Sequence, residues 1–241
     1  MKQVLKSLEI IFMVVAIIIS YGYSILFSHI LDPLKLDNFG SNKQIKYLED
    51  KPIYIVESDK LNKDCYNGTI DDRLNNYKFA VGIFNYLCEE YHLIGVNINL
   101  KTGGDKNVKS GTMAYTGALK GITLYYDVIG YYANDNYFLS HLIFHEYVHL
   151  IMFRQMANGL TIDYKSNKII NSVSKSYINL PEEYLYPSEY AESSKREQIA
   201  EILGYYLSNR IAKNKNSTIY TSNFEQDLYK QFMNNVTIKK S

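Results

Sequence analysis

The sequence predicts an α+β domain behind an amino-terminal hydrophobic segment. Three observations carry that prediction. Short β-branched runs punctuated by glycine fill much of residues 52–126. Long helical patterns dominate the second half, over 136–156, 193–212 and 224–236. The 22 residues from Ile10 to Leu31 contain no Asp, Glu, Lys or Arg, long enough for a helix to cross a bilayer.

Residues 1–31 therefore read as a transmembrane anchor or a signal peptide. Lys2 and Lys6 precede the apolar run, which keeps the amino terminus inside and exports the rest. An uncleaved anchor is favoured: the apolar stretch continues past Ser20-Tyr21-Gly22, and no Ala-x-Ala site appears. A buried core helix is the alternative. Residues 32–50 read as a linker and residues 51–241 as the folded domain. The domain is then extracytoplasmic, membrane-anchored or secreted, where Cys65 and Cys88 are permitted to pair.

Pro52 to Glu57 reads as a first strand. Asp71 to His92 reads as a helix, with Leu74, Tyr77, Val81, Phe84, Leu87 and Tyr91 at three- and four-residue steps and Asp71/Asp72 in its first turn. Val96 to Leu100 alternates as a half-buried strand. Thr112–Tyr115 and Ile122–Tyr126, divided by Gly117 and Gly121, read as a hairpin or an edge strand. A long helix is expected from Asn136 to Met156, ending near Asn158-Gly159. After a softer region with Pro181 and Pro187, helices are expected over Ser193–Ala212, capped by Ser193 or Ser194, and over Phe224–Val236.

Charge and composition exclude several function classes. Lys+Arg number 26 against 25 Asp+Glu, so no basic excess is available to neutralise nucleic-acid phosphates. Two cysteines cannot build a four-cysteine metal site. The chain has five histidines, three of them within the nine residues 141–149.

Those three stand in Phe138–Phe153, FLSHLIFHEYVHLIMF, a pattern apolar nearly all round and hence buried. Burying His145, Glu146 and His149 without partners would be costly, and a metal ion removes the conflict. His145 and His149 are four apart, so both imidazoles leave one helix face toward one ion. Glu146 stands beside them as a base for water. This is the His-Glu-x-x-His arrangement of zinc peptidases. Zinc needs a third protein ligand, and no histidine follows His149. Acidic candidates are Asp163, Glu182, Glu183, Glu189, Glu192, Glu197 and Glu201. Glu197 and Glu201 are singled out, four apart on a largely apolar helix. Glu197 is assigned to the metal and Glu201 to a hydrogen bond that orients a ligand histidine. Surface acids paired with Lys195 or Arg196 are the alternative for both. His141 lies about 12 Å along the helix from His149, too far to share one ion, and is expected to support the ligands or the helix entry.

His145-Glu146-Tyr147-Val148-His149, with Tyr190-x6-Glu197-x3-Glu201 and then Tyr205 and Tyr206, resembles the catalytic domain of anthrax lethal factor and the related secreted Pro-Pro endopeptidases. The resemblance implies a zincin-like fold: a small twisted sheet, an active-site helix, and a later helix supplying the third ligand. It also implies one zinc ion and Tyr190 as the phenol that stabilises the oxyanion, with Tyr184 and Tyr186 as competitors. The family usually carries Phe-Phe-Ala between the two glutamates, where this chain has Gln198-Ile199-Ala200. The expected function is a zinc-dependent endopeptidase with Glu146 as general base. Its expected partner is a protein or peptide substrate, which could pair as an extra strand along Ile122–Tyr126; an ordinary interior strand is the alternative there. If the amino-terminal segment is uncleaved, it adds the membrane as a second partner. The alternatives are an anchored, non-catalytic zinc-containing binding protein with the same fold and an anchored interaction protein without metal. The sequence carries no sign of substrate preference or oligomeric state.

Overall fold

Val96–Lys101 forms the strand that its alternation predicts, and it is the second of four. The computed structural model describes residues 52–72, 74–91, 93–102, 111–117, 121–156, 162–177, 179–212 and 221–236. All lie in one compact unit, residues 39–241. The anchor over 1–31 and the linker over 32–50 lie outside the described residues. Among the described residues no helix is long and apolar enough to cross a membrane.

The sheet comprises β1 (Tyr66–Ile70), β2 (Val96–Lys101), β3 (Ala114–Gly117) and β4 (Gly121–Tyr125), in the order β1-β2-β4-β3. β1, β2 and β4 run parallel, and β3 returns antiparallel against β4. The predicted hairpin is therefore present. A Cβ at Gly121 would lie 2.0 Å from the Asn97 carbonyl oxygen, and its φ is +72°. Only glycine closes the hairpin this near to β2. β4 is paired on both sides and buried throughout. It has no open edge, which overturns its expected pairing with substrate; the edge strand beside it is β3.

Two first-half expectations are corrected. Pro52–Glu57 is not a strand of the sheet. Ile53 makes one parallel bridge to Ile211, its N–H donating to the Arg210 carbonyl at 2.7 Å. Beyond it Val56 is 80% exposed. The segment instead crosses Gly82, where a Cβ would meet the Val56 carbonyl oxygen at 2.4 Å. β-branched residues favour strands only where a neighbouring edge receives them. That edge belongs to β1, whose YNGTI pattern exposes its middle. The second correction concerns the helix α1, which spans Tyr77–Tyr91 and does not start at Asp71. The Asp71 N–H donates to the Leu100 carbonyl at 3.0 Å, and Asn76 has a φ of 55°. The chain thus leaves the sheet and turns before it can coil. The periodic residues Val81, Phe84, Leu87 and Tyr91 are buried as expected. Cys65 and Cys88 form a disulfide with Cα atoms 5.8 Å apart. Closing its loop contributes about 3 kcal/mol by constraining the unfolded chain.

The second half is helical. α2 (Tyr126–Ile129) is a single turn that ends the last strand at Tyr125. α3 spans Asn136–Met156, the bounds its pattern predicts. Asp135 caps it, Oδ1 accepting from the N–H groups of Tyr137 and Phe138. The expected carboxyl-terminal cap at Asn158-Gly159 lies outside the described residues. α4 (Ile162–Ser174) occupies the region that sequence left as soft and buries Ile169, Ile170 and Val173. α5 (Glu182–Leu185) precedes α6 (Lys195–Asn209), whose cap is Ser194. α7 (Asn223–Val236) opens with a reciprocal cap between Ser222 and Glu225. The described residues form an α+β fold with a small mixed sheet and seven helices. α3 runs through its middle, with the sheet and α1 against it and α6 as its most extensive partner.

Candidate metal centre

The contact between α3 and α6 brings the predicted residues together. α3 supplies His141, His145, Glu146 and His149, and α6 supplies Glu197 and Glu201, all six buried. Nε2 of His145 and Nε2 of His149 lie 3.0 Å apart. Oε2 of Glu197 lies 2.7 Å from the second and 3.3 Å from the first. Three electron-pair donors thus converge. In a tetrahedral site with metal–nitrogen distances near 2 Å, neighbouring ligand atoms stand about 3.3 Å apart. The triangle has that scale, and its three groups could hold a metal ion. The other carboxylate oxygen of Glu197 faces Arg196 Nε at 3.6 Å, so this acid serves both the histidines and the neighbouring cation.

Glu201 completes the arrangement from behind. Its Oε1 lies 2.9 Å from His145 Nδ1 and 3.3 Å from His141 Nε2. A carboxylate at this distance favours a proton on Nδ1, which would leave Nε2 of His145 as the electron-pair donor. Oε2 of Glu201 accepts from the Ser188 hydroxyl at 2.7 Å. Ser188 in turn accepts from the Ala191 N–H and caps the 3-10 turn Glu189–Ser193 that carries Tyr190. His141 is thus paired with Glu201. Its ring packs on Tyr205 at 3.9 Å, and it lies against Gly204, where a Cβ would come within 3.1 Å of the imidazole.

Tyr190 is 57% exposed, with its ring 5.9 Å from that of His145. Partial burial raises the phenol pKa, and Glu197, Glu146 and Glu201 raise it further. It stays a neutral donor at physiological pH. Of its competitors, Tyr186 accepts from Lys195 at 3.3 Å. Tyr184 lines a separate pocket with Glu183 and Tyr205. Among the described residues two groups of three could hold a metal ion, His145–His149–Glu197 and His141–His145–Glu201; Glu182, Glu183, Glu189 and Glu192 join neither, and the Asp163 side chain lies outside the described ones.

Charge in the cluster is strongly coupled. Burial alone would raise both Glu197 and Glu201. Hydrogen bonds from His145 and His149 to the first, and from His141 and His145 to the second, outweigh it and hold both carboxyls well below the usual range. Burial would lower His145, but Glu197 and Glu201 outweigh it and push the imidazole up to about 9. In the metal-free chain, the stability contributed by His145 is complete below its ordinary value of 6.5 and is lost as pH rises through about 9. A proton thus stands where the ion would. Zn2+ added at pH 7 is expected to release about one proton per ion. Calorimetric titration in buffers of different ionisation enthalpy reads that number. A buffer-independent heat would contradict it.

Two residues of the site carry no signal in the sequence. Ser188 is one hydroxyl in a turn. Thr116, on β3, lies within hydrogen-bonding distance of the Glu146 carboxylate and of its carbonyl oxygen. Compared with known proteins, the chain matches no family model, no curated protein and no solved structure.

Proposed function

We propose that this chain is a zinc-dependent endopeptidase with a zincin-like fold, as the resemblance of its two motifs implies. The convergence of His145, His149 and Glu197 carries the reading: three donors 2.7–3.3 Å apart, on two helices, with an acid one residue from the first. These residues would hold one zinc ion and leave a position open. Bound zinc supplies Lewis acidity at neutral pH and acidifies water. Glu146 takes a proton from the water that attacks the peptide carbonyl and returns it to the leaving amine. The Tyr190 phenol donates to the developing oxyanion. Glu201 holds the His145 ring in the tautomer that binding requires.

A peptide is the favoured substrate because β3, an edge strand of the sheet among the described residues, lies beside Glu146. An extended chain can pair with such an edge. The Cys65–Cys88 disulfide favours an oxidising, extracytoplasmic compartment.

The test is cleavage of a diverse peptide library by the purified full chain with one equivalent of Zn2+. Internal cuts are expected, lost on chelation and restored by metal. Stoichiometric zinc without cleavage would move the reading to a non-catalytic zinc-containing binding protein. Absence of metal uptake would sink both.

A further inference from the structure

β3 approaches α3 at one point that matters for chemistry. Residues alternate across a strand, so Tyr115 and Thr116 face opposite sides. Tyr115 stacks on Tyr125, with ring centroids 6.1 Å apart. Thr116 faces α3. Its hydroxyl lies 2.9 Å from the Glu146 carbonyl oxygen and within hydrogen-bonding distance of Glu146 Oε2. The placement is rigid. Thr116 pairs with Ile122 in the hairpin, and a β-branched residue has a restricted χ1.

One hydroxyl proton faces two acceptors. The carbonyl already belongs to the hydrogen-bond ladder of α3. The carboxylate is the stronger acceptor because it is charged. The hydroxyl faces both acceptors, with Oε2 the stronger, and the two contacts together fix where it stands. A carboxylate held at one oxygen is restrained in rotation about its terminal bonds, and the direction of its other oxygen is restrained with it.

We propose that Thr116 is a positioning residue, whose hydroxyl pins Oε2 of Glu146 and leaves Oε1 aimed at the water to be deprotonated. This rests on the reading of Glu146 as the base. It gives β3 a second task beside its edge: the strand that would lie along the substrate also aligns the base. Misplacing a reacting group by about 1 Å is enough for a hundredfold loss of rate.

The experiment uses the full chain in two states. In the zinc-loaded state, Thr116→Val is expected to lower kcat about 10- to 100-fold, with KM and zinc stoichiometry unchanged. Thr116→Ser is expected to recover most of that loss. In the metal-free state, thermal unfolding of Thr116→Val, Glu146→Ala and the double variant is expected to be non-additive by about 2–4 °C. Glu146→Ala keeps the carbonyl, so the coupling isolates the carboxylate contact. Should Thr116→Val fold poorly, Thr116→Ala takes its place in both measurements. Unchanged kcat, a loss that falls on KM, a serine variant as slow as the valine, or additive unfolding would each overturn the proposal. An inactive wild-type chain would instead defeat the endopeptidase reading and the positioning role with it. The metal-free coupling would still report whether the contact exists.

Discussion

Glu146→Gln is expected to lower kcat by about two to four orders of magnitude while zinc stays bound at one equivalent. The magnitude is that of removing a general acid–base group. The variant separates chemistry from structure because the proposed ligands are His145, His149 and Glu197, and glutamine at 146 matches glutamate in shape. Its amide oxygen can still accept from Thr116, so the contact between β3 and α3 is kept. What it loses is the capacity to take a proton from water. Metal analysis and steady-state kinetics on the same preparation read both quantities. Cleavage at the wild-type rate would remove Glu146 from the mechanism.

Zinc is also expected to be a large part of this protein's stability. An ion that binds only the folded chain, at about 1,000 times its dissociation constant, adds about 4 kcal/mol. For a domain of this size that corresponds to a rise in Tm of about 8–16 °C. Glu197→Ala is expected to abolish the zinc-dependent rise. It removes one of three donors and leaves two imidazole nitrogens of α3 3.0 Å apart without the α6 carboxylate oxygen that faces both. Thermal scans of both proteins, with and without Zn2+, supply the comparison. A variant that retained the full rise would show that Glu197 is not a ligand.

The site was more legible than the fold. α3 could be read to the residue because its apolar pattern runs all round and a few polar groups interrupt it. Glu197 and Glu201 were legible for the same reason, as acids one turn apart on a buried helix. Gln198, where the family its motifs resemble carries an aromatic, is buried and hydrogen-bonded at both ends of its amide. It donates to the Leu185 carbonyl at 2.6 Å and accepts from Lys195 at 2.9 Å. The first half was harder. Pro52–Glu57 has strand propensity but no edge to join, whereas Tyr66–Ile70 has an edge but little apolar pattern. Pairing partners distant in sequence decided between them. Thr116 and Ser188 were illegible because one hydroxyl leaves no periodic trace.

Gly204 bears on how far this pair of helices tolerates variation. It follows Glu197 and Glu201 along one face of α6, and its missing methyl lets that helix close on His141. The approach of α6 to α3 is therefore written into the backbone as well as into the candidate ligands. Any side chain at 204 would press on the His141 ring and oblige the ring or the helix to give way, so packing alone narrows what this position can become.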